Sequence, residues 1–109
     1  MSLNEQFLYL TATGRKSGLP RQIEIWFVET DGRLYILAEH GLRAQWVQNI
    51  IQNRNVQVRV GDKNWEATTR VLDADKDREL YATVQDLSRR KYGWGEGLPV
   101  EITVGLGTH

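Results

Sequence analysis

The run FLYLTATGRKSGLPRQIEIWFVETDGRLYILA, residues 7–38, contains three strand-like segments joined by two turn signals. Phe7 to Thr13 combines aromatic, aliphatic and β-branched side chains, which is typical of a strand. Residues 14–20 carry two glycines and a proline and therefore predict a turn. Between Arg21 and Glu29, apolar and polar side chains alternate with the period of two that a half-buried strand requires.

The chain continues with a second hairpin and then a helix. Asp31-Gly32 is the strongest short hairpin signal in the sequence, so Leu34–Ala38 is predicted to return beside the preceding strand. From Ala44 to Asn53 the apolar residues fall at helical spacing, which predicts an amphipathic helix of about three turns.

The second half of the sequence predicts two more strands, a second helix and a last strand. Apolar residues alternate with polar ones over 56–60 and again over 65–71. An acidic stretch opens a helical pattern over 73–91, where negative charge is favourable at the positive end of the helix dipole. Gly93 follows as a C-terminal cap, and 99–104 reads as a short strand.

This order predicts a mainly β (α+β) fold: a six-stranded antiparallel barrel, closed or partly closed, with two helices covering its openings. Closure removes the exposed edges of a sheet, which would otherwise pair with other chains. With 109 residues, the chain is expected to form one domain, residues 1–109, with one modest core. A sizeable ligand is then expected on the outside of the barrel or between two subunits.

Composition excludes several classes of function. The chain has no cysteine, so disulfides, thiolate catalysis and zinc–sulfur sites are ruled out. Its 14 basic and 14 acidic side chains give zero net charge, which argues against a nucleic-acid partner, since phosphate binding favours a basic excess. No apolar run approaches the ~20 residues of a membrane helix, so we expect a soluble, cytoplasmic protein with no membrane span.

The segment Gly14-Arg15-Lys16-Ser17-Gly18 is a candidate anion site. Its glycines allow a tight turn with exposed N–H groups, while Arg15 and Lys16 supply positive charge and Ser17 a hydroxyl donor. Arg21 adds a third cation after Pro20. A solvated basic hairpin is the alternative interpretation. The glycine spacing does not match a Walker loop.

A second candidate is Glu39-His40-Gly41-Leu42-Arg43, which joins a predicted strand to a helix. Gly41 and the helix start could present backbone donors to a ligand. Adjacent strand residues point to opposite faces, so Glu39 and His40 do not converge on one metal ion. The other histidine of the chain is the terminal His109, and we therefore predict no metal site.

Aromatic side chains supply further candidates. Trp26 falls on the polar face of its strand and is expected to need a ligand or a second subunit as a partner. Trp46, beside apolar helix positions, is expected to pack in the core, and Trp65 is expected to be buried. The segment KYGWGEG, with Tyr92 and Trp94, either shapes a pocket or closes the barrel.

The sequence selects neither of two common hydrolase chemistries. The sequence has no G-x-S-x-G elbow, so serine hydrolase chemistry is not indicated. Paired carboxylates of the glycosidase kind stay open, because Glu24, Glu29 and Glu66 all lie on predicted strands and nothing selects a pair.

Several motifs taken together resemble the deazaflavin-dependent nitroreductase family. The match begins with Thr13-Gly14-Arg15-Lys16-Ser17-Gly18 and Pro20-Arg21 and passes through the D-G hairpin to Tyr35-Ile36-Leu37-Ala38. It continues with Trp46-Val47-Gln48-Asn49-Ile50 and ends with Asn53-Arg54-Asn55-Val56-Gln57-Val58. The combination of G-R-K-S-G with W-x-x-N-I at this spacing is fairly specific. The resemblance as a whole covers nearly half of the chain.

The resemblance implies a six-stranded split barrel, a homodimer, and a reduced deazaflavin or FMN along the barrel. It implies that the protein is an oxidoreductase acting on quinone-like, nitro or related electron-poor substrates, with hydride chemistry that belongs to the cofactor. The residues carried over for the cofactor's anionic tail are Arg15, Lys16, Ser17 and Arg21. Those for the ring are Ala38, Glu39, His40 and Gly41, with Gln45 and Trp46 closing the site and Tyr92 on the substrate side.

The chain departs from the family pattern at two positions that add a carboxylate. The family's proline-leucine in the second strand is replaced by Glu24-Ile25. Where the family has a lysine-glycine pair after the third strand, this sequence has Glu39-His40-Gly41-Leu42, which places a carboxylate near an anionic cofactor. That departure favours the alternative of a non-catalytic split-barrel module that binds a cofactor. A small nucleic-acid-binding barrel is a third, weaker alternative, since basic loops and exposed aromatics can stack bases.

Overall fold

The computed structural model describes residues 5–104 of the chain. They form seven strands, two α-helices and one short 3-10 helix over Gly41–Arg43. The strands are β1 Phe7–Thr13, β2 Pro20–Trp26, β3 Val28–Thr30, β4 Arg33–Ala38, β5 Asn55–Val60, β6 Lys63–Val71 and β7 Leu98–Val104. The helices are α1 Gln45–Gln52 and α2 Arg78–Tyr92.

All seven strands belong to one antiparallel sheet of order β2-β1-β5-β6-β7-β4-β3. The edge strands β2 and β3 are consecutive in the chain and are separated only by Phe27. The sheet must therefore curl until its two edges meet at Phe27. This is the curled sheet of a split β-barrel, so the predicted fold class is confirmed.

The structure has seven strands where the sequence predicted six, because the predicted strand Arg21–Glu29 is interrupted at Phe27. The backbone of Phe27 bonds to side chains of α2 instead of a neighbouring strand. Its N–H donates to the Tyr92 hydroxyl at 3.1 Å. Its carbonyl oxygen lies 2.6 Å from that hydroxyl and accepts from Lys91 Nζ at 3.0 Å. The chain bends there and joins the opposite edge of the sheet.

The interior of the curled sheet is the main core. Alternate residues of the strands point inward, and Ile50 of α1 enters from one end. Each buried aliphatic side chain contributes roughly 1.5–3 kcal/mol through removal of apolar surface from water. The buried members are Leu8, Leu10, Ala12, Phe27, Leu34, Ile36, Ile50, Val56, Val58, Val60, Ala67, Val100, Ile102 and Val104.

A second, smaller core lies on the outer face of the sheet, where α2 packs through Val84 against Val28, Leu37 and Leu72. The helix ends at Gly93, whose φ of 80° is the left-handed conformation predicted for this cap.

Beside the second core, a polar chain that is buried at Tyr35 and Glu101 and exposed at Arg70 links three strands. The hydroxyl of Tyr35 donates to Glu101 Oε2 at 2.9 Å, and Arg70 Nε donates to Glu101 Oε1 at 3.2 Å. Arg70 also pairs with Asp77 at the start of α2, at 3.0 Å. Burial, and then the bond to Glu101, raise the pKa of Tyr35 to about 12.

The Asp31-Gly32 hairpin forms as predicted and joins β3 to β4. Both residues have positive φ, 53° and 76°, as a type I′ turn requires. Within residues 5–104 no helix is long and apolar enough to cross a membrane. His109 lies outside the described residues.

Candidate functional site

The turn between β1 and β2 is fixed by its own backbone. The N–H of Gly14 donates to the carbonyl of Leu19, and the N–H of Gly18 donates to the carbonyl of Gly14, both at 2.8 Å. Ser17 Oγ accepts from the N–H of Leu19 at 3.1 Å. A Cβ at position 14 would lie 2.8 Å from that Oγ and 3.2 Å from the Leu19 carbonyl oxygen, so a side chain there would displace Ser17 and crowd the turn.

Arg15 ties the turn to α1. Its backbone N–H and its Nη1 both donate to Oδ1 of Asn49, at 3.1 and 2.9 Å. Its Nη2 donates to Oε1 of Gln45 at 2.8 Å. Asn49 is only 6% exposed, so its amide is a fixed anchor in the wall of the core. Arg15 is thereby held in one orientation, whereas Lys16 and Arg21 are exposed.

A cationic groove of about 470 Å³ lies between this turn and α1. Its charged lining residues are Arg15, Lys16 and Arg21, and none of the described residues that line it is acidic. The complete lining is Gly14, Arg15, Lys16, Ser17, Arg21, Gln22, Ile23, Gln45, Trp46 and Asn49. The groove therefore offers cations and neutral donors to an anion.

An aromatic cleft of about 560 Å³ lies next to the groove, at the bend of the chain around Phe27. Trp46 lines both cavities, so they meet at its side chain. The cleft is lined by Phe7, Glu24, Ile25, Trp26, Phe27, Val28, Tyr35, Leu37, Glu39, His40, Ala44, Trp46, Ser88 and Trp94. Most of this wall is apolar, as is typical of a site for a small organic molecule.

Trp26 is positioned in the cleft wall by stacking on Tyr92. The two rings stack with centroids 4.5 Å apart and planes at 2°. Trp26 is half-buried. The sequence predicted that a ligand or a second subunit would cover this side chain, but its stacking partner is Tyr92 of the same chain. The hydroxyl of Tyr92 also lies 2.7 Å from the carbonyl of Gln6.

The position of Trp94 is fixed by close packing of the loop that follows α2. Ser88 Oγ donates to the Trp94 carbonyl at 2.6 Å. A Cβ at Gly95 would lie 2.1 Å from the carbonyl of Gln85, and one at Gly97 would lie 2.8 Å from that of Ala38. The KYGWGEG segment thus closes against α2 and β4 and also shapes the cleft.

Two carboxylates border the cleft. Glu24 lies on β2 and accepts a hydrogen bond from the Tyr9 hydroxyl at 2.6 Å. This bond is the main reason why the pKa of Tyr9 is raised. Glu39 and His40 follow β4 and are both exposed.

Most of the residues predicted for the site come together in the two joined cavities. Arg15, Lys16, Ser17, Arg21 and Gln45 line the groove, Glu39 and His40 line the cleft, and Trp46 lines both.

Three predicted site residues border neither cavity. Ala38 is buried in the sheet at 1% exposure, Gly41 begins the 3-10 helix, and the Tyr92 hydroxyl is occupied by backbone groups. Their contact with a ligand stays a prediction.

Sequence reasoning missed the structural role of Asn49 and the aromatic wall formed by Phe7 and Phe27. Asn49 stood in the W-x-x-N-I motif without a function, and its position three residues after Trp46, on the same side of the helix, was a usable signal.

The sequence and the fold are both similar to those of known proteins. Residues 2–105 match the model of a family described as F420H(2)-dependent quinone reductase. A solved structure of an F420-H2 dependent reductase (FDR-A) is similar at a TM-score of 0.69 and 24% identity, over 96% of this chain and 99% of that one.

Two further solved structures share the fold. A domain-swapped dimer is similar at a TM-score of 0.68 and 25% sequence identity, over 96% of this chain and 84% of that one. HutZ, the heme storage protein from Vibrio cholerae, is similar at a TM-score of 0.77 and 15% sequence identity, over 95% of this chain and 84% of that one.

Proposed function

The chain belongs to the F420H(2)-dependent quinone reductase family, and from this premise we propose that it uses a reduced deazaflavin to reduce quinone-like, nitro or related electron-poor acceptors. The observation that carries the proposal is the meeting of a cationic groove and an aromatic cleft at Trp46. A coenzyme with an anionic tail and a flat ring requires these two environments side by side.

The groove fits the anionic tail of the coenzyme. Lys16 and Arg21 are exposed cations that can close on phosphate or carboxylate groups, and Ser17 adds a hydroxyl. Arg15 is already oriented by Asn49 and Gln45, so less conformational entropy is lost when an anion binds to it.

The cleft fits the ring and the acceptor. Trp46 borders both cavities and would lie where the tail passes into the ring. Trp26 and Trp94 offer flat apolar faces that exclude water from the reacting surfaces. When bound, the reduced deazaflavin supplies the hydride, and the side chains around it bind and orient the two reactants.

The charges of the two cavities favour one orientation of the coenzyme. The groove carries Arg15, Lys16 and Arg21, whereas the cleft carries Glu24 and Glu39. An anionic tail is attracted to the first and repelled from the second. The carboxylate that replaces the family's lysine thus helps to keep the tail in the groove.

Three further points belong to this proposal. FMN is the alternative coenzyme, since its phosphate would fit the same cations. We also propose that residues 1–109 form one domain and that the chain is a homodimer, which the similarity to a domain-swapped dimer supports.

Binding of the purified chain to reduced deazaflavin and to FMN, followed by fluorescence, tests the proposal. We expect saturable micromolar binding of the deazaflavin and turnover with menadione or a nitroaromatic acceptor. Saturable binding without turnover would favour the non-catalytic alternative, and no binding of either coenzyme would refute both.

Charge removal in the groove sharpens the test. Lys16→Ala and Arg21→Ala should each weaken coenzyme binding about 5- to 30-fold, because charge-assisted hydrogen bonds contribute roughly 1–2 kcal/mol. Lys63→Ala is the matched control, since this exposed lysine of β6 lines neither cavity. Equal affinities for all three variants would remove the groove from the coenzyme site.

A further inference from the structure

The cleft combines aromatic faces with negative charge, and, resting on the proposed function, we infer that it selects electron-poor aromatic acceptors that carry a positive charge. Anionic acceptors of the same shape are disfavoured. The inference names the substrate class of the proposed reductase.

The first observation is the sign of the charge in the cleft. Among the described residues that line it, only Glu24 and Glu39 carry a formal charge at pH 7, with His40 counted as neutral. Neither carboxylate forms an ion pair within residues 5–104, where the pairs join Arg70 to Asp77 and Glu101, and Arg90 to Asp86. The negative charge of the cleft is therefore not neutralised locally.

The second observation is the aromatic lining. Five aromatic side chains besides the buried Tyr35 border the cleft, namely Phe7, Trp26, Phe27, Trp46 and Trp94. The faces of such rings carry negative electrostatic potential, so they attract cations and electron-poor rings. A carboxylate beside aromatic faces is the combination that recognises an organic cation.

The third observation is how Glu24 is held. Its Oε2 accepts the Tyr9 hydroxyl at 2.6 Å, and the ring of Tyr9 lies 4.1 Å from the guanidinium carbon of Arg59. Tyr9 thus separates Glu24 from that cation and fixes one oxygen of the carboxylate. The other oxygen has no partner within the described residues.

Two cations near the cleft, Lys91 and Arg15, are engaged elsewhere. Lys91 contacts the ring of Phe27 at 4.2 Å, but its ammonium donates to the carbonyl oxygens of Phe27 and Glu5 and does not line the cleft. Arg15 is bonded to α1 in the groove, with Trp46 at the boundary. The cleft and the groove thus keep opposite charge.

The test compares three acceptors of matched reduction potential: a neutral benzoquinone, one with a trimethylammonium side chain and one with a sulfonate side chain. With reduced deazaflavin saturating, we expect kcat/KM for the cationic acceptor to exceed that for the anionic acceptor about 3- to 30-fold at low salt. The ratio should fall towards one at 1 M NaCl, where the screening length is about 3 Å.

Variants assign the effect to the cleft. Glu39→Gln and Glu24→Gln should each lower the cation-to-anion ratio by about 2- to 5-fold, mainly through KM, because each removes one partly screened charge. Glu66→Gln is the control, since this exposed glutamate of β6 does not line the cleft, and it should leave the ratio unchanged.

The outcomes separate the inference from the proposed function. Reduction of the neutral quinone with no charge preference, or with a preference for the sulfonate, overturns the inference and leaves the reductase intact. A preference that Glu66→Gln lowers as much as Glu39→Gln reflects overall charge and also overturns it. Failure to reduce any of the three quinones refutes the proposed function for this acceptor class.

Discussion

Arg15 donates two hydrogen bonds to one oxygen of Asn49, from its backbone N–H at 3.1 Å and from its guanidinium at 2.9 Å. The two residues are 34 positions apart, and their contact fastens the cationic turn to the first helix. Arg15 thus both anchors the turn and contributes positive charge to the groove. This relationship changes what substitutions in the groove are expected to do.

Replacement of Asn49 should affect stability and coenzyme binding together. Asn49→Ala leaves the N–H and the guanidinium of Arg15 without their acceptor, so we expect a loss of about 1–3 kcal/mol in the free energy of unfolding. Deazaflavin affinity should fall as well, because the turn loses its fixed position. Urea unfolding and a binding titration measure both. Gln52→Ala, an exposed position on the same helix, should change neither, and unaltered values for Asn49→Ala would contradict the anchoring role.

The Tyr92 hydroxyl should stabilise the bend at Phe27. Tyr92→Phe keeps the ring stacked on Trp26 but removes the hydroxyl from the Phe27 backbone, so unfolding should become easier by about 1–2 kcal/mol. Tyr92→Leu should cost about 0.5–1.5 kcal/mol more, because the stacking is lost too. Chemical denaturation provides the comparison. Tyr81→Phe serves as control, since no hydrogen bond of its hydroxyl occurs within residues 5–104.

Alkaline pH should destabilise the fold through Tyr35, whose pKa is raised to about 12 from 10.0. The folded state favours the neutral phenol, so this contribution is complete below pH 10 and is lost as the pH rises towards 12. The loss is at most about 2–3 kcal/mol, since one pKa unit corresponds to about 1.4 kcal/mol. We expect the decrease in unfolding free energy between pH 9 and pH 11.5 to be smaller in Tyr35→Phe. Identical decreases in both proteins would exclude Tyr35 as its source.

Gly95 is predicted to tolerate no side chain. A Cβ there would lie 2.1 Å from the Gln85 carbonyl oxygen, so the loop must move away from α2. Gly95→Ala should destabilise the protein by about 1–3 kcal/mol and change the fluorescence of the neighbouring Trp94. The exposed neighbour gives the control variant Glu96→Ala. Wild-type stability of Gly95→Ala would show that the loop has room that the structure does not indicate.

Local patterns in the sequence predicted much of the fold. The run Phe7–Thr13 forms its strand with the predicted bounds, and the Asp31-Gly32 turn and the Gly93 cap have the backbone angles that these residue types favour. Each of these features depends on neighbours within a few residues. The anion turn could be located for the same reason, because its glycines and cations are contiguous.

The strand break at Phe27 could not be predicted, because Ile25-Trp26-Phe27-Val28 is a continuous apolar run without a glycine, proline or other turn signal. Its cause is the Tyr92 hydroxyl, 65 residues later in the chain. The partnership of Trp26 with Tyr92 and that of Arg15 with Asn49 are likewise long-range. Such contacts are set by how the sheet curls, which no local pattern encodes.

Among the described residues that line the two cavities, only Trp46 is common to both, although β2 and the start of α1 contribute to each cavity. The other lining residues of one cavity can therefore change without altering those of the other. On the proposed function, substitutions in β2 near Trp26 or in the loop around Trp94 would change acceptor preference and leave binding of the coenzyme tail intact. A change at Trp46 would alter both at once. If the cleft binds the acceptor as proposed, acceptor specificity can change by substitution in the cleft alone, and Trp46 is the residue at which such a change would also affect the coenzyme.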